Sequence, residues 1–437
     1  MKNDQMYLHP EVETLSRPDI EKLQLKRLKA TLNRCMHSPF YKERFQQCGI
    51  KPEDIQSLED LQKIPFTTKQ DLRDHYPFGL SAVPLEEVVR LHSSSGTTGT
   101  PTVILHTQHD LEEWANAVAR CLYMVGLRKG DIFQNSSGYG MFTGGLGFQY
   151  GAERLGMLTV PAAAGNTKRQ IKFITDFGTT ALHAIPSYAG RLYEVMEEMH
   201  IGPRRDTHLK TLIIGAEPHS DEQRRRIEQM LGVKAYNSFG MSEMCGPGVA
   251  FECIEQNGLH IWEDYYIVEI VDPVTLEPVP EGEVGELVLT TINREAMPLL
   301  RYRTRDLTRI LPGDCPCGRH HKRLDRMKGR SDDMMILKGV NIFPIQIENI
   351  LLQFKELGNE YLITLTNLDA NDEMTVEVEL NDFTDDYGFL QNLTKEITRQ
   401  LKDEILITPR VKLVPKGSLP VQEGKAVRVK DLRKTLI

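Results

Sequence analysis

A cluster of hydroxyl side chains and glycines lies between two short apolar runs, at residues 91–107, with the sequence LHSSSGTTGTPTVILHT. Its central residues are Ser95, Gly96, Thr97, Thr98 and Gly99. Glycine lets backbone N–H groups converge on an anion, and hydroxyls add donors that suit phosphate oxygens. The pattern predicts a hairpin loop between two strands that could hold phosphate, with an ordinary loop as the alternative. It is not a P-loop, because no Gly-Lys-Ser/Thr follows and residue 102 is Thr.

Cysteine and histidine form two short pairs that together could hold a metal ion. Cys315 and Cys317 form a C-x-C pair, and Cys253 and His260 form a C-x6-H pair. If the two segments meet in the fold, their Cys₃His set suits a structural, tetrahedral Zn²⁺. The basic loop CPCGRHHKR also allows a rival interpretation, a zinc-ribbon fragment that binds nucleic acid.

The elements that must position these residues begin with a βαβ pattern. From residue 158 to residue 239, short apolar strands alternate with helices, which indicates a mainly parallel sheet. In such sheets ligands lie at the carboxyl ends of the strands. The residues that follow the predicted strands are Pro186, Ser187 and Tyr188, then Gly215, Ala216, Glu217 and Pro218, then Phe239, Gly240, Met241, Ser242 and Glu243.

The rest of the chain predicts three further regions. The spacing of apolar residues predicts that residues 1–90 are mostly helical, and the strand-like pattern of residues 265–309 predicts a small twisted sheet. The last hundred residues give the order βαββαβ, a split ferredoxin-like pattern. We therefore expect an α/β fold with a large N-terminal domain, residues 1–331, of βαβ sheets plus a small β subdomain, and a small α+β domain, residues 332–437.

Composition limits the classes of function. The chain has 437 residues and a formal net charge of −8, which argues against a dedicated nucleic-acid or anionic-membrane binder. Its polar N-terminus and the lack of a run of about 18 apolar residues predict a cytoplasmic protein. Seven cysteines, an odd number, favour reduced thiols over a disulfide framework. The sequence leaves the oligomeric state open, with a homodimer as one of the expectations.

Six motifs in a fixed order resemble those of a known family. They are SSSGTTGTPT at 93–102, GAEP at 215–218, YNSFGMSE at 236–243, YRTRDLT at 302–308, GRSDDMMILKGVNIFP at 329–344 and LPVQEGKAVRVKD at 419–431. Together they strongly resemble the adenylate-forming superfamily of acyl-CoA synthetases and adenylation domains. Within it, the short N-terminus, the CPCGR loop and the EGKAVRV ending look most like the phenylacetate-CoA ligase branch.

The resemblance implies a two-step reaction. A carboxylate attacks the α-phosphate of ATP to give an acyl adenylate and pyrophosphate, and the thiol of coenzyme A then displaces AMP. Glu243 would hold Mg²⁺, and Lys425 would neutralise the charge that develops between the carboxylate and the α-phosphate. The loop from Ser95 to Gly99 would wrap the β- and γ-phosphates. The other implied nucleotide contacts are Gly215, Ala216, Glu217, Tyr236, Asn237, Ser238, Phe239, Gly240, Met241, Ser242, Asp306 and Arg330.

The resemblance also implies a mobile C-terminal domain, with a hinge at Asp332 and coenzyme A contacts at Lys338, Gly339 and Val340. The acyl pocket is predicted from strand ends and from the glycine-rich segment after residue 137. Its residues would be Tyr139, Phe142, Ala184, Pro186 and Tyr188. They favour a compact aryl acid such as phenylacetate. An adenylation enzyme that loads an aryl acid onto a carrier protein is the nearer alternative, and a nucleic-acid-binding module is the distant one. The sequence departs from many members of the superfamily at Thr102 and Arg305.

Overall fold

A computed structural model describes residues 6–93, 101–141, 143–217, 219–333, 335–337, 340–368, 371–382, 384–420 and 428–433. Ten of the residues named above lie outside these ranges: Ser95, Gly96, Thr97, Thr98, Gly99, Phe142, Pro218, Lys338, Gly339 and Lys425. The chain divides into two compact units, Met1–Ala216 with Glu228–Arg326, and Glu217–Ile227 with Met327–Ile437. No helix in the described ranges is long and apolar enough to cross a membrane.

The first ninety residues are largely helical, as the apolar spacing predicts. The helices are α1 (Pro10–Glu13), α2 (Arg17–Cys35), α3 (Pro39–Cys48) and α4 (Lys69–Asp74), and short 3₁₀ helices occupy Pro52–Asp54, Glu59–Lys63 and Leu85–Glu87. Local chemistry sets their ends. Ser16 caps α2 by accepting a hydrogen bond from the Asp19 backbone N–H, and Thr68 and Asp71 form a capping box on α4.

A hairpin and a nine-stranded sheet follow along the chain. Their elements are β1 (Arg90–Ser93), β2 (Val103–His106), α5 (Gln108–Met124), β3 (Ile132–Asn135), α6 (Thr143–Arg154), β4 (Leu158–Val160), α7 (Thr167–Asp176), β5 (Ala181–Ala184), α8 (Pro186–Glu198), α9 (Pro203–Asp206), β6 (Thr211–Gly215), α10 (Asp221–Leu231), β7 (Lys234–Met241), β8 (Gly246–Glu252) and β9 (Leu259–Ile261). A 3₁₀ turn, Ser242–Met244, joins β7 to β8.

The predicted parallel sheet is confirmed. Its order is β4-β3-β5-β6-β7, with parallel neighbours throughout. Beyond β7 the sheet turns antiparallel through β8 and β9. The sequence analysis did not predict β8, because its residues, GPGVAFE, begin with glycine and proline, which usually mark turns.

The predicted small β subdomain is an antiparallel meander of β10 (Tyr266–Val271), β11 (Gly285–Thr291) and β12 (Tyr302–Thr308). Two short strands, β13 (Ile310–Leu311) and β14 (Arg323–Leu324), flank the cysteine-bearing loop and extend the large sheet beyond β9.

The second unit is an α+β structure around an apolar core. Its elements are β15 (Gly329–Arg330), β16 (Met335–Leu337), β17 (Val340–Ile342), α11 (Pro344–Leu351), β18 (Leu357–Leu368), β19 (Asn371–Leu380), α12 (Tyr387–Ile405), β20 (Arg410–Val414) and β21 (Val429–Asp431). Its main sheet has the order β20-β19-β18-β21. Buried residues of α11 and α12, such as Ile347 and Ile397, belong to one core cluster with residues of this sheet.

One detail of this unit differs from the predicted βαββαβ pattern. The first predicted strand, β16, pairs with β17 in a separate hairpin, because only two residues separate these strands. The strand parallel to β18 is instead β21, near the end of the chain. The α/β class is confirmed, and the chain has one further strand near its end, β21, that was not predicted from the sequence.

Candidate active site

The carboxyl ends of β6 and β7 bring two predicted nucleotide-binding segments together. Gly215 and Ser238 are register partners in the parallel ladder, and the Ser238 hydroxyl donates to the carbonyl oxygen of Ile214 at 3.2 Å. A Cβ atom on Gly215 would lie 2.4 Å from the Ser238 carbonyl oxygen, so the close approach of the strands requires glycine. Ala216 follows with φ of +66° and is exposed at the strand end.

The β7 strand carries the predicted residues from Tyr236 to Met241 toward the same edge. Tyr236, Asn237 and Ser238 are buried, and Gly240 is exposed. The backbone N–H of Asn237 donates to the Glu252 carboxylate at 2.8 Å. The strand therefore fixes this motif by backbone pairing and by one charged acceptor.

Glu243 lies just beyond β7 and is buried, with 6% of its surface exposed. Its Oε1 accepts a hydrogen bond from the Tyr302 hydroxyl at 3.2 Å and lies 3.7 Å from the Nζ of Lys69. Its backbone carbonyl accepts a hydrogen bond from Arg294 at 2.9 Å. No hydrogen bond to Oε2 comes from the residues that the structure describes. Among the described residues, hydrogen bonds to this carboxylate therefore reach only Oε1.

Sequence reasoning missed three of these neighbours. Lys69 begins α4, Arg294 lies between β11 and β12, and Tyr302 begins β12. Only Tyr302 belongs to a motif that the sequence analysis had singled out, YRTRDLT. Sequence spacing could not reveal the other two, because they reach Glu243 from distant parts of the chain.

Asp306, the predicted ribose contact, is half-buried in β12. Its backbone N–H donates to the Thr304 hydroxyl at 3.0 Å. The preceding residue, Arg305, has φ of +70°, the left-handed region that favours glycine. Glycine would adopt that conformation without strain. Thr102, the other departure, is fully buried, so its side chain is not exposed for contact with phosphate.

The predicted phosphate hairpin is confirmed in its strands. β1 and β2 pair antiparallel from Arg90–His106 to Ser93–Val103, on either side of the central loop. The end of β1 also contacts the glycine-rich segment, where the Met141 carbonyl accepts from Ser93 N–H at 3.3 Å and lies 3.1 Å from His92 Nδ1. The hairpin is therefore tied directly to the segment predicted to line the acyl pocket.

Two of the predicted pocket residues adjoin a buried polar group that the sequence analysis overlooked. Asn135 Nδ2 donates to the Tyr139 hydroxyl at 3.3 Å, and Asn135 Oδ1 lies 3.0 Å from Nδ1 of His183. His183 precedes Ala184 in β5, and burial lowers its pKa to about 3. A single histidine in the apolar run ALHAI was the signal for it. Pro186 and Tyr188 lie in the first turn of α8.

Part of the glycine-rich segment, in contrast, packs internally. It forms α6, where a Cβ on Gly147 would lie 2.5 Å from the Trp114 ring and one on Gly151 would lie 2.4 Å from Val118. These glycines are needed for the close packing of α6 on α5.

The predicted hinge residue forms an ion pair in the second unit. Asp332 accepts two hydrogen bonds from Arg330, from Nε at 2.8 Å and from Nη2 at 3.0 Å. Both side chains are more than a third exposed, so solvent screens the pair. Val340 is half-buried and packs on the core of this unit.

The cysteine and histidine pairs meet, as the metal hypothesis requires. The ligand atoms of Cys253, His260, Cys315 and Cys317 all lie within 4.8 Å of one another, and all four residues are buried. Hydrogen bonds from the Cys253 and Cys315 thiols lower the pKa of Cys317 far below its usual range. The cluster therefore stabilises a thiolate.

Surrounding groups fix the orientation of this cluster. His260 Nδ1 lies 3.2 Å from the His321 carbonyl oxygen, so it carries a proton, and Nε2 faces Cys317 Sγ at 3.3 Å. The Tyr7 hydroxyl donates to the Cys317 carbonyl at 2.8 Å. Such outer contacts are typical of metal-ligating histidines and cysteines.

The basic side chains of this loop do not favour the nucleic-acid alternative. Arg319 is buried and pairs with Glu13, and Arg323 is buried and donates only to backbone carbonyl oxygens. These guanidinium groups support the loop from within, so they are not available as a basic surface.

Known protein families match both parts of the chain. The AMP-binding enzyme family matches residues 43–293, and the AMP-binding enzyme C-terminal domain matches residues 339–433. The chain is 48% identical to the phenylacetate-coenzyme A ligase of Pseudomonas putida, over 98% of both chains. It is 45% identical to that of Thermus thermophilus, over 98% of this chain and 100% of the relative.

A solved structure shares the fold over the whole length. A 2-hydroxyisobutyryl-CoA ligase in complex with R3-HIB-AMP has a TM-score of 0.92 and 30% identity, with 100% of this chain and 94% of that chain covered. With these matches, the chain belongs to the AMP-binding enzyme family of adenylate-forming ligases.

Proposed function

We propose that this enzyme is an ATP-dependent ligase that converts phenylacetate, or a similar aryl acid, to its coenzyme A thioester. The observation that carries this proposal is the near full-length similarity to phenylacetate-coenzyme A ligases, at 48% and 45% identity for two of them. Their names give both the acid and the acceptor. The reaction class therefore needs ATP and coenzyme A as substrates and releases AMP and pyrophosphate.

In the first step, a carboxylate oxygen of the acid forms a bond to the α-phosphorus of ATP, and the bond from that phosphorus to pyrophosphate breaks. In the second, the sulfur of coenzyme A bonds to the acyl carbon, the thiol proton is lost, and AMP leaves. The protein's work is alignment and charge neutralisation, because phosphoryl transfer needs little covalent help. Lys425 would supply a positive charge to the first step, and residues 95–99 would hold the leaving phosphates.

Glu243 fits a magnesium ligand. Mg²⁺ prefers carboxylate and phosphate oxygens. Tyr302 and Lys69 both approach Oε1, while Oε2 accepts no hydrogen bond from the described residues. When bound, Mg²⁺ would neutralise the charge of the triphosphate. Gly215, Ala216, Glu217 and Tyr236 would then border the adenine, and Asp306 the ribose.

Motion of the second unit would separate the two steps. In this proposal Asp332 is the hinge, Arg330 reaches the nucleotide during adenylation, and residues 338–340 contact coenzyme A afterwards. Because Arg330 and Asp332 bond to each other, their pair would have to break for Arg330 to bind the nucleotide. An exposed pair of this kind costs little to break.

The Cys253, His260, Cys315 and Cys317 cluster would hold a structural Zn²⁺. Three thiol groups and one imidazole make a closed tetrahedral set with no open position for substrate. Metal analysis of the purified protein tests this proposal, with one zinc per chain as the expected result. Zinc content that is unchanged in Cys315→Ala, or absent from the natural protein, would contradict it.

The decisive test of function is thioester formation across a panel of aryl acids, with ATP and coenzyme A. Phenylacetate should be preferred, and ring substituents or one methylene should change selection by about 10–200-fold. Lys425→Ala should lose adenylation, measured as acid-dependent pyrophosphate release. Lys430→Ala, an exposed lysine on β21, is the matched control. Full adenylation by Lys425→Ala would disprove the mechanism, and carrier proteins in the panel would reveal the alternative acceptor.

A further inference from the structure

Arg294 connects Glu243 to the phosphate hairpin. Its guanidinium donates to the Glu243 carbonyl oxygen and to the Leu105 carbonyl oxygen, both at 2.9 Å. Leu105 lies in β2, the second strand of the hairpin, and Glu243 lies in the turn after β7. One buried side chain therefore spans the two segments that a magnesium-bound triphosphate would have to touch.

The backbone beside Arg294 is held rigidly. The Asp110 carboxylate accepts hydrogen bonds from the backbone N–H groups of Glu295 at 2.7 Å and Ala296 at 2.9 Å. Asp110 itself belongs to the capping box of α5, with Thr107, one residue after β2. Because the two backbone N–H groups that follow Arg294 are anchored on Asp110, the guanidinium needs little reorganisation to keep both carbonyl groups in place.

Among the residues that the structure describes, no carboxylate forms an ion pair with Arg294. The side chain is buried, with 6% exposed, and no carboxylate oxygen of a described residue lies within 4.0 Å of it. Asp110 and Glu113 line the same small cavity, but neither pairs with it. Its Nε is buried without an acceptor among the described residues. A buried cation without a carboxylate partner leaves positive potential for an anionic ligand nearby.

We propose that Arg294 is a positioning residue that sets the distance between Glu243 and the phosphate hairpin, and thereby the affinity for magnesium-bound triphosphate. This inference rests on the proposed function and goes beyond it by assigning a role to a residue outside the family motifs. Groups that orient a metal ligand typically change metal affinity by about 10–100-fold when they are removed.

The test compares Arg294→Met and Arg294→Lys with the natural protein. The melting temperature is measured at a fixed ATP concentration while the magnesium concentration is increased. The apparent dissociation constant for magnesium is obtained from this titration and also from pyrophosphate release. Arg294→Met should raise that constant about tenfold or more. Arg294→Lys keeps the charge but lacks the planar guanidinium that reaches two carbonyl groups. Its magnesium dissociation constant should therefore lie between those of the natural protein and Arg294→Met.

Arg323 is the matched control, because it is also buried and also donates only to carbonyl oxygens, those of Asn257, Pro312 and Gly313. Arg323→Met should lower the melting temperature of the protein alone and leave the magnesium constant unchanged. A folded Arg294→Met with the natural constant would overturn the proposal. If Arg294→Met does not fold, a natural constant in Arg294→Lys would overturn it instead. Acid-dependent pyrophosphate release by the natural protein separates failure of this inference from failure of the proposed function.

Discussion

At the scale of single residues, the candidate site depends on how the two oxygens of Glu243 differ. Oε1 is held by Tyr302, and Oε2 accepts nothing from the described residues. A buried carboxylate without a full set of partners is costly unless a cation compensates it. The proposal that Glu243 binds Mg²⁺ can therefore be tested at this carboxylate.

Glu243→Gln tests this role, because the amide keeps the size of the side chain and removes its charge. The magnesium affinity, measured through the stabilisation of the protein by ATP, should fall by more than about tenfold, since a neutral amide is a poor ligand for a hard cation. Tyr302→Phe is a milder change at the same carboxylate. It removes one hydrogen bond to Oε1 and keeps the carboxylate, so it should weaken magnesium binding by only about fivefold.

Both effects are measured as the shift of melting temperature with magnesium at fixed ATP. Equal losses in the two variants would mean that the hydroxyl, and not the charge, dominates the site. No loss in Glu243→Gln would remove Glu243 from the magnesium site.

The motif residues of this site could be predicted from the sequence, whereas the residues that hold them could not. Glu243 and Asp306 stand in recognisable motifs. Lys69 and Arg294 stand in ordinary sequence, 174 and 51 positions from Glu243. Only the tertiary fold brings them close, and a single sequence carries no signal for such long-range contacts.

At the scale of elements, strands with an alternating or apolar pattern were predicted well, and strands that contain turn-forming residues were not. The parallel strands from β3 to β7 had clear apolar runs between helices. In contrast, β8 begins with Gly-Pro-Gly, and β17 follows β16 after only two residues. Local composition favoured turns there, and pairing with neighbouring strands overrode it.

The loop that carries Cys315 and Cys317, the proposed metal cluster, offers a test at this scale. Gly318 has φ of +79°, and a Cβ atom there would lie 2.4 Å from the Tyr7 hydroxyl oxygen. Gly318→Ala should therefore lower the free energy of unfolding both by backbone strain and by displacing Tyr7, which holds the Cys317 carbonyl. Gly313→Ala is the matched control, because Gly313 has φ of +73° and open space around its Cα.

Urea unfolding of both variants separates strain from packing. Strain in the left-handed region costs about 1–3 kcal/mol and should appear in both. The additional loss of unfolding free energy in Gly318→Ala should be accompanied by lower zinc content. Adding Tyr7→Phe to the Gly318→Ala chain should recover part of that free energy. Equal losses in Gly313→Ala and Gly318→Ala would mean that Tyr7 does not support the metal cluster.

At the scale of the whole molecule, the chain forms two compact units, and two family models match residues 43–293 and 339–433. The large unit carries most of the candidate site, and its interior also contains buried titratable groups. His183 is the clearest case, because it is fully buried between Asn135 and Phe148. Such a group links the stability of the large unit to pH.

His183 predicts loss of stability on mild acidification. Burial lowers its pKa to about 3 in the folded protein, whereas a histidine in the unfolded chain titrates near 6.5. Below that pH the unfolded state binds a proton that the folded state does not, so the free energy of unfolding falls as the pH decreases. The slope is about 1.4 kcal/mol per pH unit for one histidine, between about pH 6.5 and pH 3.

Urea unfolding of the large unit at pH 7 and at pH 5.5 measures this slope. His183→Gln should lower stability at both values and reduce the difference between them, since one titrating group is removed. His208→Gln, at an exposed site, is the control and should leave the difference unchanged. His106 is also buried, with a pKa lowered by burial, so part of the slope should persist in His183→Gln. An undiminished slope in that variant would mean that His183 accepts a proton in the folded protein, through rearrangement of its contact with Asn135.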